Sequence, residues 1–420
     1  MNALSIRSIH GRQIFDSRGM PTVEAEIVLH NGVRASASVP SGASTGRFEA
    51  CELRDNLAEY HGKGVSSAVN HINTPIQEAL VGESCDDQWT LDNKLMVLDG
   101  TQNKSKIGAN AILAVSLACA KAAAKAYGLE LFRYLGGLQA NTLPIPTMNI
   151  LNGGAHAGNN LEIQEFMIVP VGAHSFTEAM KMGTEIYASL RNCLKKKGLS
   201  TGIGDEGGYA PDLNGDEEAL SLLMEAIQLA GYQPNYDVKI ALDAAANEWY
   251  KNGHYIFPKL QKKITQSELK GYWEELCQKY PIYSIEDPFA EEDFPGFSEL
   301  TASLGGSVQI VGDDLFVTNP DRLRQGISSL SGNAVLIKPN QIGTLTETLS
   351  TIRLAKEHGY GVILSHRSGE TEDTTIADLS VAVNAGQIKT GAPARSERVC
   401  KYNRLLKIES LISGSEYPKK

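Results

Sequence analysis

Ala334, Val335, Leu336 and Ile337 form a short continuous apolar run closed by Lys338 and Pro339, the pattern of a strand covered on both faces. Helical spacing follows at once: Leu345, Leu349, Ile352 and Ala355 recur at it, Thr344 and Glu347 have capping-box spacing, and Lys356, His358 and Gly359 supply the stop. The stretch predicts a strand and a helix with a lysine at their junction. YSIEDP, VQIVGDD, GVILSHRSGE and GQIKTG repeat the grammar, and KIALDAAANE adds a strand ending in Asp243. The polar termini Glu286, Asp313, Lys338, His366 with Arg367, and Lys389 fall roughly 23 to 28 residues apart, close to the about 31 per unit of an eight-unit barrel. In such a barrel the carboxyl ends of the strands share one mouth, so three acids and two lysines from separate strands are expected to converge.

The first part of the chain reads differently. Val23, Ala25, Ile27 and Leu29 alternate, and Val33, Ala35, Ala37 and Val39 resume the count after Asn31-Gly32, which predicts a hairpin. PSGASTG, residues 40–46, is small and glycine-containing, and reads either as a surface turn or as a lid over a ligand. Helical patterns run through KGVSSAVNHINTPIQEALVG, DDQWTLDNKLMVLDG and GANAILAVSLACAKAAAKAYG. Pro144 and Pro146 then break the signal. The expected organisation is α/β, with an N-terminal α+β capping domain over residues 1–138 and a TIM-like barrel over 139–420. Within the second part, NILNGGAHAGNN reads as a loop and LEIQEFMIVPV as strand-like. An amphipathic helix carries Ala179, Met182, Ile186 and Leu190, and Glu206 stands in the loop TGIGDEGGYAPDL.

Composition narrows the function. The apolar fraction of 42% and mean hydropathy of −0.20 are those of a globular chain with a large core. A net charge of −10 argues against broad nucleic-acid binding, which needs a basic footprint. The six cysteines show neither C-x-x-C nor disulfide-framework spacing, as expected of reduced thiols in a cytosolic protein. MNALSIRSIHGRQIFDSRG has no apolar core of a signal peptide, and the most apolar window meets Lys121 after about ten residues, which predicts a buried helix rather than a membrane span.

Asp243, Glu286 and Asp313 at successive strand ends, with no cysteine ligand nearby, suit a hard oxygen-preferring ion, and an all-carboxylate set favours magnesium over zinc. Asp287 and Asp314 read as outer partners of those ligands. A bound ion and Lys389 would both push the Lys338 ammonium toward its neutral, proton-accepting form, while the carboxylates pull the other way. In SHRSGE, the Arg367 guanidinium fork and the Ser368 hydroxyl suit a phosphate.

These residues carry a close resemblance. GASTG, NGGAHAGN, QEFMI, GDEGGYAP, SIEDPFAEEDF, VGDDLFVTN, IKPNQIGTLTET, SHRSGETED, QIKTGAPARSER and KYNRLL, in this order over nearly the whole chain, resemble the enolase family. The resemblance implies an atypical ββαα(βα)6 barrel, reversible dehydration of 2-phospho-D-glycerate to phosphoenolpyruvate, and two Mg²⁺ per site. A lysine base beside Mg²⁺ is the general arrangement of enolase-superfamily sites. It implies metal ligation by Asp243, Glu286 and Asp313, with Ser44 near the second ion. Lys338 resembles the general base and Glu206 the general acid. Substrate contacts fall on His156, Gln164, Glu165, Glu286, Asp313, His366, Arg367, Ser368 and Lys389. Pro339 and Asn247 depart from the family pattern, where an apolar residue and a serine are usual.

The rivals are another acid dehydratase or epimerase of the superfamily, against which GDEGG and SHRSGE argue, and a surface binding protein on the same scaffold. The terminal Lys419 and Lys420 resemble the lysine ends by which some surface enolases engage plasminogen. The resemblance further implies a cytoplasmic homo-oligomer, at least a dimer, with a secreted or cell-surface fraction as a secondary expectation.

Overall fold

The computed structural model describes residues 2–43 and 45–418; Ser44, Lys419 and Lys420, on which the second-ion and lysine-terminus expectations rest, lie outside the described residues. Three antiparallel strands, β1 (Ile6–Phe15), β2 (Pro21–Leu29) and β3 (Arg34–Ser38), form the N-terminal sheet. The hairpin has the expected register, Ala25 opposite Ala37 and Ile27 opposite Ala35, and Gly32 takes the left-handed backbone (φ +85°) that the turn needs. The helix Ala109–Ala126 packs its alanine-rich surface across β2 and β3, and small side chains let it approach closely. By length and composition this helix would pass for a membrane span, yet it is the core helix of the domain, buried over most of its length. The helical pattern over 63–82 is interrupted. Pro75 has no N–H to donate, and the chain takes a wide turn over Ile72–Ile76 between Ser66–His71 and Gln77–Leu80.

The barrel closes through eight strands: β4 (Ile145–Asn152), β5 (Glu165–Val169), β6 (Lys239–Asp243), β10 (Ile282–Glu286), β11 (Gln309–Gly312), β12 (Ala334–Ile337), β13 (Gly361–Ser365) and β14 (Gly386–Lys389). Between β6 and β10 a small sheet of β7 (Tyr250–Lys251), β8 (His254–Phe257) and β9 (Lys262–Ile264) is inserted. β5 is antiparallel to both neighbours, and the helices Phe176–Lys196 and Asp216–Leu229 follow it before β6, so the barrel opens ββαα. This reversal matters for the site. Because β5 runs backwards, its first residue, Glu165, stands opposite Asn152 and Asp243 at the mouth where the other strands end.

The helix after β12 spans Leu345–Glu357, with the Thr344 hydroxyl accepting from the Glu347 N–H at 3.1 Å. The reciprocal half of the capping box is absent. The Glu347 carboxylate instead takes the Thr344 hydroxyl at 2.6 Å and Lys104 of the N-terminal domain at 2.9 Å.

Further contacts seat the N-terminal domain over the mouth. Ser41 and Gly369 exchange two backbone hydrogen bonds, at 2.8 and 2.9 Å, and Lys121 pairs with Asp373 at 2.6 Å. Burial opposes the charge of Asp373, but Lys121 and local hydrogen bonds outweigh it and hold the carboxyl down at about 2. A depressed carboxyl pKa stabilises the fold above its unfolded value and loses that contribution as the pH falls from about 4 to about 2, here about 2 kcal/mol. Lys121→Met should therefore lower the melting temperature at pH 7, and the gap from wild type should narrow from about pH 4 and close only as the pH approaches about 2. Acid-range melts of both proteins check this; a gap that stays constant down to pH 2 would remove the ion pair from the account.

Candidate active site

The carboxyl ends of the strands bring the charged residues together in one buried cluster. Lys389, at the end of β14, donates to Asp243 at 2.9 Å and to both oxygens of Glu286 at 2.9 and 2.8 Å, and lies 3.2 Å from Glu165. Burial works against its charge, yet four carboxylates, Asp243, Glu165, Glu286 and Glu206, hold its pKa well above the ordinary lysine value. Lys338, just past β12, is paired with Asp313 Oδ2, and its backbone N–H donates to Thr318 Oγ1 at 2.9 Å. Burial is the largest influence on Lys338 and would neutralise it, as would the nearby Arg367 and Lys389, but the acids around it, Asp313 first and then Glu286, together raise the pKa. The balance left open by the sequence thus falls to the carboxylates.

Asp313 is held from the other side by Gln341 Nε2 at 2.8 Å. Asp287, with φ +42°, accepts the backbone N–H of Asp313 at 2.9 Å and of Asp314 at 2.8 Å, so it orients the loop that carries Asp313. The Asp314 carboxylate lies within 4.8 Å of those of Asp287 and Asp313, and burial beside Asp313 pushes it up to about 8.

Glu206 is presented by the tight turn Gly204–Gly208, in which Gly204 N–H donates to Gly208 O and Gly207 sits at φ +87°. A side chain at Gly207 would be strained by that backbone and would press on Ala392 and Ala394. Glu206 Oε2 accepts from Asn149 Nδ2 at 3.0 Å and lies 3.5 Å from His366 Nε2, while Oε1 lies 3.8 Å from His156 Nδ1. Glu165 faces the same ring at 3.7 Å.

Burial, Glu206 and the other acids raise Glu165 well above the ordinary carboxylate range. Burial also opposes charge on Glu206, but His366, His156 and Arg398 hold it low. His366 itself is brought down to about 4, chiefly by burial. A neutral His366 cannot stabilise Glu206 as a cation, so the two directions conflict; the geometry favours the neutral ring, because Arg398 donates to its Nδ1. Its stabilisation of Glu206 is then that of an N–H donor.

Arg367 is gripped by Glu49 of the N-terminal domain at 2.9 and 3.2 Å, and also donates to Asn340 at 3.3 Å. The Ser368 hydroxyl accepts from Ala43 N–H at 2.6 Å. A cavity of about 30 Å³ is lined by His156, Gln164, Glu165, Glu206, Asp243, Asp313, Lys338, Ser365 to Ser368 and Lys389. Arg367 also lines a cavity of about 720 Å³ on the N-terminal side, with Arg18, Ser41, Glu49, Arg54 and Asn340. A small, fully polar chamber therefore shares a guanidinium with a much larger one.

Two family models, described as "Enolase, N-terminal domain" and "Enolase, C-terminal TIM barrel domain", match residues 6–135 and 140–418. The chain belongs to the enolase family. With that membership it is a lyase, phosphopyruvate hydratase. A curated protein named Enolase, from Acidothermus cellulolyticus, is 58% identical over 410 residues, covering 98% of this chain and 95% of that protein. These matches lend no support to a plasminogen-type surface role.

For an enolase the donor set fits a hard divalent cation. The three expected ligands are carboxylates, and burial with Asp243 nearby raises Glu286 well above the ordinary range, as when acids outnumber their counter-charges. Their spacing is another matter. Among the described residues, the groups whose ligand atoms lie within 4.8 Å of one another are His156–Glu165–Glu206 and Asp287–Asp313–Asp314. Asp243, Glu286 and Asp313 form no such group, with Lys389 between the first two and Lys338 on the third.

Sequence reasoning missed Glu49, Asn149, Gln341 and Arg398. Each had a trace: Glu49 follows the small-residue loop, Asn149 interrupts an apolar strand, Gln341 lies three residues past the base candidate, and Arg398 falls on the inner face of the last helix.

Proposed function

We propose that this chain is a glycolytic enolase that interconverts 2-phospho-D-glycerate with phosphoenolpyruvate and water. The reading is carried by one observation: an aspartate-held lysine and a hydrogen-bonded glutamate line the same small polar chamber, beside an arginine fork. Lys338 Nζ takes the C2 proton, and the electron pair left on C2 is delocalised into the substrate carboxylate. That pair then forms the C2=C3 bond as the C3–O bond breaks, and the hydroxyl leaves as water with a proton from Glu206.

Two carboxylates as buried as Glu165 and Glu206 cannot both keep their charge cheaply, so the pair holds one proton; in this state it rests on Glu165, and it must pass to Glu206 before the hydroxyl departs. Asp243, Glu286 and Asp313 would hold the metal, with Ser44 assigned to a second ion by resemblance. Mg²⁺, when bound, would supply positive charge against the negative charge that builds on the substrate carboxylate. Lys338 acts as a base only when the charge of Asp313 is engaged elsewhere, which is what a ligand role for Asp313 requires. Arg367 and Ser368 bind phosphate, Lys389 anchors the carboxylate end, and His156, Gln164 and His366 complete the wall. The reading carries a cytoplasmic location and a homo-oligomer.

Appearance of phosphoenolpyruvate absorbance from 2-phosphoglycerate with Mg²⁺, and none without it, is the expected result; no product under either condition would overturn the assignment. Within the clamp, Arg367→Lys keeps a cation but loses the planar fork, so kcat/KM should fall about tenfold for each 1.4 kcal/mol of transition-state binding lost. An unchanged kcat/KM would take Arg367 out of the phosphate site.

A further inference from the structure

Arg398 is fully buried at the start of the last helix, Ser396–Leu411, outside the residues assigned to substrate or metal. Its guanidinium reaches two segments of the site at once. Nη1 donates to His366 Nδ1 and to Arg367 O, both at 2.6 Å; Nη2 donates to Ser368 O at 2.6 Å and to Asp205 O at 3.1 Å. One side chain therefore ties the turn carrying Glu206 to the strand end carrying His366 and Arg367.

The contact with His366 has a chemical consequence. A guanidinium can only donate, so His366 Nδ1 must be the acceptor, and its proton is excluded. A ring with a bare Nδ1 is the neutral tautomer with hydrogen on Nε2. That N–H is buried without a hydrogen-bond partner among the described residues, and Glu206 Oε2 lies 3.5 Å from it, a carboxylate oxygen it can face without yet bonding. Asn149 Nδ2 addresses the same oxygen at 3.0 Å. The hydrogen bond from Asn149 and the facing His366 N–H disfavour a proton on Oε2 and leave Oε1, the oxygen toward His156, to carry it.

We propose that Arg398 is a positioning residue for the acid half of the reaction: by fixing His366 as the Nε2–H tautomer, it makes Oε1 the oxygen from which Glu206 delivers its proton. This rests on the reading of Glu206 as the acid. Arg398 touches neither substrate nor the reacting atoms, and Lys338 does not depend on it. The low proton affinity of His366 agrees, since burial and the facing guanidinium both oppose an imidazolium.

The first test needs no variant. Ring-nitrogen NMR of the full-length protein labelled with ¹⁵N-histidine, with His366→Gln identifying the signal, should give the neutral Nε2–H pattern for His366 at pH 7. An Nδ1–H tautomer or an imidazolium overturns the proposal, whatever the enzyme catalyses. The second test divides the reaction. In Arg398→Lys, phosphoenolpyruvate formation should fall about 10- to 100-fold, the range for an outer partner of a catalytic group, while exchange of the C2 proton of 2-phosphoglycerate with heavy water stays within a few-fold. In the His366→Gln background, Arg398→Lys should cost nothing further, because its effect passes through the ring. Equal loss of exchange and dehydration, or full additivity of the two substitutions, would make Arg398 a structural brace only. Wild-type protein that forms no phosphoenolpyruvate would instead overturn the assigned reaction, leaving the tautomer result to stand by itself.

Discussion

Lys338→Ala is expected to stop both phosphoenolpyruvate formation and exchange of the C2 proton of 2-phosphoglycerate with heavy water, whereas Glu206→Gln should stop dehydration and leave exchange running. The two residues act at opposite ends of one stepwise reaction, and their surroundings keep them apart. Lys338 is tied to Asp313 and, through its backbone, to Thr318, with no hydrogen bond to Glu206 among the described residues. Glu206 is tied to Asn149 and faces His366 and His156. Loss of a proton-transfer partner costs roughly 10² to 10⁴ in rate, so both variants should fall at least that far in turnover. Glu206→Gln is nearly isosteric: its amide oxygen can still accept from Asn149, and the base side should remain undisturbed. NMR of the substrate in heavy water with Mg²⁺ follows both processes in one sample. Exchange that persists in Lys338→Ala beside none in Glu206→Gln would mean that the two roles are reversed.

Much of this arrangement was legible because each barrel strand is a short apolar run ending in a charge. A strand buried on both faces has no alternation to obscure its limits, which is why β12 and β13 end where the pattern ends, at Ile337 and Ser365. The parts that were not legible have physical causes. β1 places only Ile6 and Ile9 in the apolar core, and its other large apolar side chains, Ile14 and Phe15, sit half-buried and exposed at its end, so no alternation marks it as a strand. β4 contains Pro146, which ordinarily argues against a strand, and the barrel accommodates it opposite Ile388 of β14. Glu49 and Arg398 are remote in sequence from the residues they hold, and only the closing of the N-terminal domain and the last helix onto the mouth brings them there. Spacing along a chain reports which residues share a strand end. It does not report which distant side chain will satisfy them.

The largest loss in metal affinity is expected from Asp313. Asp313→Asn keeps the shape of the side chain and its bond from Gln341 but removes one of three carboxylate charges, and it also releases Lys338 from its ion pair. Mg²⁺ affinity measured by calorimetry should fall more than about 100-fold, beyond the 10- to 100-fold loss typical of an outer partner, and turnover should be nearly abolished. Asp287→Asn supplies the comparison. Asp287 accepts two backbone N–H groups, and an asparagine can accept one of them but must turn its NH2 toward the other. Its effect reaches the metal only through the posture of the Asp313–Asp314 loop, so the loss should stay within that 10- to 100-fold range. Both proteins should keep a wild-type circular dichroism spectrum, since the strands framing the mouth do not depend on either carboxylate for their ladders. If the two variants weaken Mg²⁺ equally, Asp313 is no ligand and the charge at this strand end serves only to hold Lys338. Turnover surviving exhaustive chelation of the wild type would remove the metal from the reaction altogether.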